Sequence, residues 1–229
     1  MSFTVVQSKV ETPGITGVSI AVALDSVATS GNLLASWVAY DKNAGTITGP
    51  SGWSTPILIK GGSSVTLAFS WKESDGTEQS VTWLNSTNRG AVAKITEISG
   101  FDTPVLDVSA VSVDSNTAVT SRSTGTTTTT TAAETFAIAL MGVDSYTNVN
   151  TGRAWTNSFT EEEFGFNTVS GLPGFSEAHK TLSATGIVES TFSTTGGGDQ
   201  MAALVAVFKG ASAPGAGIVV FRRRINGDA

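Results

Sequence analysis

The chain reads as an all-β protein, a jelly-roll-like antiparallel β-sandwich built from two pseudo-repeated halves. Three observations predict this. Apolar residues recur at every second position in short runs, and Gly, Pro, Asn and Asp cluster between the runs. No segment sustains the 3.6-residue period of a helix. The third is a repeat: the series LLASWVAY, Gly-Trp, FSWK, VTWLNS, AVAKITEISG returns as FAIALMGV, Ala-Trp, EAHK, ESTFST, AALVAVFKG. Its paired landmarks are Trp53 and Trp155, Lys72 and Lys180, Trp83 and Phe192, and Gly100 and Gly210, each 102 to 110 residues apart. The drift falls in loops, where insertions are tolerated best. This spacing predicts a single sandwich domain over residues 1–210, with pseudo-repeats of four strands each at about 31–100 and 134–210, and a linker and arm over 211–229.

Taken in order, Ser2–Val10 reads as an edge strand and Thr12-Pro13-Gly14 as a turn. Val18, Ile20, Val22 and Leu24 share one face of a second strand. Leu33–Tyr40 is apolar on both faces, with Leu33, Ala35 and Trp37 on one and Leu34, Val38 and Tyr40 on the other. That is the mark of a central, doubly covered strand. Asp41–Ser54 is a loop closing on Pro50-Ser51-Gly52-Trp53. Val65, Leu67, Phe69 and Trp71 alternate with smaller or polar residues until Ser74-Asp75-Gly76 supplies the positive φ of a tight hairpin. Val81 and Trp83 restart the alternation, Asn85–Gly90 reads as a polar loop, and Ala91, Ala93 and Ile95 lead to Gly100. Trp71 and Trp83 lie on the apolar phase and are expected in the core.

The second half opens with a short strand around Leu106–Val113. Thr124–Thr131 is expected as an edge strand or extended linker, because threonine is stiff at χ1 and poor in helices. Thr135–Val143 is a strongly apolar strand. Loops follow to residue 176, then strands at Ala178–Leu182, Ile187–Ser193 and Met201–Phe208.

Only 14% of residues are charged, against about 25% in an ordinary soluble domain. Ser, Thr and Gly take their place, which suits an extended β protein or one that lives in an assembly. The net charge of −6 leaves no counterion-release term for nucleic acid and no attraction to anionic membranes, so neither partner is expected. Without cysteine there are no disulfides or thiolate metal sites, and His179 is the sole histidine, so no metal or other cofactor is expected. The first residues lack a basic segment followed by an apolar one, so the expectation is cytoplasmic synthesis without a signal peptide.

No catalytic signature emerges, and the chain is read as non-enzymatic. Glu161-Glu162-Glu163 is the one acidic cluster; residues 161 and 163 of a strand share a face, as a two-carboxylate glycosidase would need, and the plainer reading is a solvated acidic loop. His179 lacks a Ser or Asp at a telling spacing and reads as a surface or packed histidine. Trp53 and Trp155, at loop ends, are the candidates for stacking on a host glycan. In the tail, the β-prone run Ile218, Val219, Val220 and Phe221 precedes Arg222, Arg223 and Arg224. It is either a last strand of the domain or an arm that adds a strand to a neighbouring subunit, its arginines meeting acidic groups.

Gly31-Asn32-Leu33-Leu34, Pro50-Ser51-Gly52-Trp53, Phe69-Ser70-Trp71-Lys72, Gly76-Thr77-Glu78, Val81-Thr82-Trp83 and Ile98-Ser99-Gly100-Phe101-Asp102 form one layout. It resembles a β-sandwich domain of tailed-bacteriophage and prophage virion surface proteins, over residues 30–210. The resemblance carries no shared catalytic residues. It implies a structural or surface-exposed part of the virion, whether capsid decoration, head fibre or tail component. Taken with the missing catalytic signature, the low charge and the arm-like tail, the leading expectation is a capsid decoration (cement) or head-surface subunit that docks through loops and the C-terminal arm. The alternatives are a tail or fibre component binding host-surface carbohydrate and, third, a jelly-roll glycosidase. The partners implied are major capsid or tail subunits and further copies of the chain in a homo-oligomer.

Overall fold

The computed structural model describes residues 2–12, 17–42, 45–145, 147, 149–166 and 173–210. The expected arm at Ile218–Arg224 lies outside the described residues. Sixteen strands run through them. The first eight are β1 (Thr4–Glu11), β2 (Gly17–Ala23), β3 (Leu33–Asp41), β4 (Ile47–Thr48), β5 (Ile57–Gly61), β6 (Val65–Glu73), β7 (Ser80–Arg89) and β8 (Ala91–Ser99). The next eight are β9 (Val105–Val111), β10 (Ser121–Ser123), β11 (Glu134–Val143), β12 (Ala154–Trp155), β13 (Thr160–Phe166), β14 (Gly174–Ser183), β15 (Thr191–Ser193) and β16 (Met201–Lys209).

The repeat is plain in the topology. The first half forms one sheet in the order β1-β8-β3-β6-β5 and another in the order β2-β7-β4. The second half forms β9-β16-β11-β14-β13 and β10-β15-β12, the same two orders shifted by eight strands. Each copy therefore holds eight strands, not the expected four. Strands β1, β2, β9 and β10 belong to the repeat although their sequences show no kinship. Successive strands cross between the two sheets, which is jelly-roll winding, except that the fifth strand of each copy pairs with the sixth.

The register matches too. Leu34 stands between Lys72 and Glu97, and Ala137 stands between Lys180 and Val207. Lys72 and Lys180 are thus true equivalents. Trp53 and Trp155 are not: Trp155 lies on β12, whereas Trp53 lies in the connection between β4 and β5.

Residues 74–79 do not close a hairpin. Gly76 adopts the expected positive φ of 87°, but β6 and β7 lie in different sheets. The turn is an arch across the sandwich, tied by Lys72 to Asp75 and Glu78. The expected loop at Asn85–Gly90 is also strand, since β7 runs on to Arg89 and keeps its alternating burial. The residues are polar because the strand lies on an outer sheet, where one face meets water.

As its two apolar faces predict, β3 is central. Leu33, Ala35 and Trp37 join one buried cluster, and Leu34, Val38 and Tyr40 join another. The second cluster, with Trp83 at its heart, is the core of the first jelly roll. The first cluster lies between the two jelly rolls, because it also holds Phe136, Ile138, Leu140, Phe175, Leu204 and Phe208 of the second copy. The architecture is four layers, with the two five-stranded sheets face to face.

They meet in opposite order. β8 faces β13 and β14, β3 faces β14 and β11, and β6 and β5 face β16. Exchanging the copies turns β8 on β14 into β16 on β6, and β3 on β14 into β11 on β6, both of which occur. The copies are thus related by a pseudo-two-fold axis, the geometry of an isologous dimer within one chain.

Thr124–Thr131 is extended but is not a strand. Thr124, Thr127 and Thr130 are buried, so the period is three, not two. Each donates its backbone N–H to the carbonyl of Ser190, Val188 or Gly186 and accepts that residue's N–H at its hydroxyl. The hydroxyls replace a sheet ladder, which explains why threonine fills this run.

Phe208 packs against Phe69, Trp71 and Phe101 between the copies. Phe208→Ala is expected to lower stability by about 3–5 kcal/mol. Both jelly rolls are expected to unfold together in a single earlier transition, read by denaturant titration with fluorescence and circular dichroism.

Candidate functional site

Charged side chains are few, yet several meet in the seam between the copies. On β8, Val92, Lys94, Thr96 and Ile98 point away from the first jelly roll's own core. Lys94 is 2% exposed. On β14, Phe175, Glu177 and His179 point back toward it. The Lys94 ammonium lies 2.9 Å from Glu177 and 2.9 Å from Glu163 of β13. Glu177 also accepts the Trp37 indole N–H at 2.8 Å and meets His179 Nε2 at 2.6 Å. A carboxylate only accepts, so Nε2 is the donor there.

Burial alone would push Glu177 up. The Lys94 ammonium and then the His179 and Trp37 donors outweigh it and hold the carboxyl well below its ordinary range. Burial pulls Lys94 down, and the Glu177 and Glu163 charges more than reverse it, so its pKa is raised. The cluster is a buried ion pair backed by further hydrogen bonds from Trp37 and His179, the condition under which such a pair is tolerated. The repeat supplies a comparison. Register places Leu204 where Lys94 stands and Phe69 where Glu177 stands. Both are fully buried and apolar. One flank of the pseudo-axis is ionic and its mirror flank is oily.

The acidic run is not a solvated loop. A bulge between Glu161 and Glu163 makes Glu162 an extra residue in β13. Consequently Glu161 and Glu163 do not share a face, as an unbroken strand would require. Glu161 turns to the second jelly roll's own side, bound by Arg153 at 3.1 Å and the Ser176 hydroxyl at 2.8 Å. Glu163 turns into the seam. The sequence-based pairing of these two as glycosidase carboxylates is therefore overturned by one inserted residue.

Beside the cluster a groove of about 520 Å³ opens at the edge of the seam, between β1 and the strands β13 and β14. Phe3, Phe136, Thr160, Glu162, His179 and Lys180 line it. His179 is buried, its ring 5.0 Å from that of Phe136. Its Nδ1 has no hydrogen-bond partner, and Glu162 Oε1 is 3.7 Å away.

The expected glycan tryptophans are not flat open platforms. Trp155 is half-buried, donates to Ser176 at 2.8 Å and packs edge-on to Phe192. Trp53 is half-buried against the first jelly roll's core. Trp83 is fully buried and donates to Ser36, as its phase predicts, and Trp71 packs on Phe69 and Phe208. Sequence reasoning missed Lys94 and Glu177. The signal for Lys94 was present: Val92 and Ile98 make its phase of β8 apolar as well.

Asp41, the last residue of β3, and Asp144, the first beyond β11, stand at equivalent places, their N–H groups donating to the carbonyls of Gly90 and Gln200. Burial and then the Asp199 and Asp41 carboxylates push Asp144 up to about 6. Among the described residues no three His, Asp or Glu side chains are arranged to hold a metal ion. No family model, curated protein or solved structure matches the chain.

Two outcomes follow from these charges. Lys94→Met, which strands Glu177, is expected to cost about 3–5 kcal/mol in denaturant unfolding. Lys94→Leu with Glu177→Phe, copying the mirror flank, is expected to recover part of that loss, the remainder reflecting Trp37 and His179 left without an acceptor. For Asp144, the unfolded chain ionises near 3.8 and the folded chain near 6. The stability linked to its proton is full below the lower value and lost as pH rises through the upper one. Asp144→Asn is expected to raise Tm at pH 7.5 and to change it little at pH 4, measured by calorimetry.

Proposed function

We propose that this chain is a non-enzymatic structural subunit of a phage virion, a capsid decoration or head-surface protein that works as an oligomer. The observation that carries the structural part of the reading is the seam. There Lys94, Glu163 and Glu177 are committed to one another and to the indole of Trp37, which joins two jelly rolls into one stack. The low charge content and hydroxyl-rich composition suit a surface that packs against neighbours. The virion part rests on the motif layout over residues 30–210.

Docking runs through the C-terminal arm. The described chain leaves β16 at Lys209 and Gly210, and Lys209 pairs with Val105 on the edge strand β9. Val105 and Val111 on that strand and Val113 just beyond it are exposed. An arm carrying Ile218–Phe221 supplies the apolar, β-prone segment that such an edge of a neighbouring copy accepts. The arginines after it then meet the acidic surface of that neighbour.

The test is assembly. Particles made with a chain lacking residues 211–229 are purified and examined by mass spectrometry and electron cryomicroscopy. Density for the full-length chain on the capsid exterior, lost on truncation while the truncated protein stays folded, is the expected result. Unchanged incorporation rules out the arm, and absence of the full-length chain from particles rules out the virion assignment.

A further inference from the structure

The seam groove holds an unused binding group. His179 is 6% exposed, its Nε2–H is committed to Glu177, and its Nδ1 has no partner. A buried polar atom left unpaired is costly and marks either strain or a missing ligand. Glu162 Oε1, 3.7 Å from Nδ1, is too far to satisfy it and stands on the extra residue of the β13 bulge. Its side chain is 41% exposed and can swing without breaking a ladder bond.

The surroundings select the ligand. β1 and β13 are the edge strands of their sheets, and both are bulged beside the groove, at Val5/Gln7 and Glu161/Glu163. Bulges interrupt the ladder that an added peptide strand would need. What remains is a mixed lining: the rings of Phe3 and Phe136, 5.3 Å apart, with the hydroxyl of Thr160 and the Glu162 carboxylate, while the Lys180 ammonium is held away from it by the Asn157 carbonyl. Thr160 stands directly opposite His179 in the ladder. Aromatic faces with hydrogen-bonding groups at their rim suit a flat, polyhydroxylated ring. The volume lies within the roughly 300–1,000 Å³ of small-molecule sites.

We propose that the groove is a saccharide-binding site, in which two adjacent hydroxyls of a pyranose donate to His179 Nδ1 and to the Glu162 carboxylate. Two acceptors 3.7 Å apart match the two donors of a vicinal diol better than any single hydroxyl. The Thr160 hydroxyl then bonds a ring or hydroxyl oxygen, and the sugar's apolar face lies on Phe3. Glu162 rotates outward to admit the ligand. This goes beyond the structural role and is tested on the purified protein, so it stands or falls independently of virion assembly.

The probes are the methyl pyranosides of glucose, galactose, mannose, rhamnose and N-acetylglucosamine, added to the full chain. Saturation-transfer NMR and calorimetry read binding, and 15N NMR reads the imidazole, which is unambiguous because His179 is the single histidine. At least one glycoside is expected to bind at about 10 mM or below and to shift the Nδ1 resonance. Glu162→Ala, Thr160→Val and a deoxy glycoside lacking one hydroxyl of the diol are each expected to weaken binding by roughly three- to tenfold. Trp53→Ala is expected to leave it unchanged. The proposal is overturned if no glycoside binds, if Glu162→Ala leaves binding intact, or if extended peptides occupy the groove instead.

Discussion

The Lys94–Glu177 pair is the constraint around which the two halves are arranged. Two charges in a seam of low polarity attract strongly, but each also loses its water. The pair survives because Trp37, His179 and Glu163 complete its hydrogen bonds. The same geometry rules out other pairings of the two sheets. If the first sheet faced a copy of itself, Lys94 would meet Phe69; if the second did, Glu177 would meet Leu204. Each would leave a buried charge unpaired, which costs far more than an intact pair contributes. The pair therefore acts as a device of specificity within a pseudo-symmetric interface. The oily flank of Phe69, Leu204 and Phe208 is buried in the same cluster.

The consequences spread outward from that pair. Glu177 holds one nitrogen of His179 and so determines what the other nitrogen can do. Lys94 draws Glu163 inward, which the strand manages through an inserted residue, and the insertion places Glu162 at the rim of the groove. A bulge thus divides three adjacent carboxylates among three tasks: an Arg153 pair on one side, the ion cluster on the other, and a partly exposed arm over His179. The groove exists because two sheet edges meet there, and it carries charge because the ion cluster lies immediately behind it.

Much of the fold was legible in the residues. Alternation located most strands, the double apolar phase of Leu33–Tyr40 identified the sheet centre, and Trp83 fell in the core as its phase required. The recurrence of Lys72 as Lys180 captured the duplication at its true register. Other features were hidden for physical reasons. Alternation reports which face a residue takes but not which strand it pairs with, so the arch at residues 74–79 looked like a hairpin. The tryptophan match at 53 and 155 was accidental, because an indole can fill a core from several backbone positions. The Thr124–Thr131 run kept its extended form but replaced ladder partners with hydroxyls. The seam residues were hardest to see, since Lys94 and Glu177 are common surface types, and only the opposing sheet turns them into an interior pair.

By itself the amino-acid sequence determined the all-β class, the internal duplication, the central strands and the scarcity of charge, because each depends on local period or on composition. Tertiary structure decided which sheets the strands join, that each copy winds into its own jelly roll, and that the copies stack about a pseudo-two-fold axis. It also decided the fate of the charged residues. A lysine at position 94 and a glutamate at position 177 lie in different copies of the repeat, and whether they are solvated or fused into a buried pair depends on two sheets meeting face to face. A local pattern holds no information about such a contact, since it arises only when the apolar faces of both copies are removed from water together.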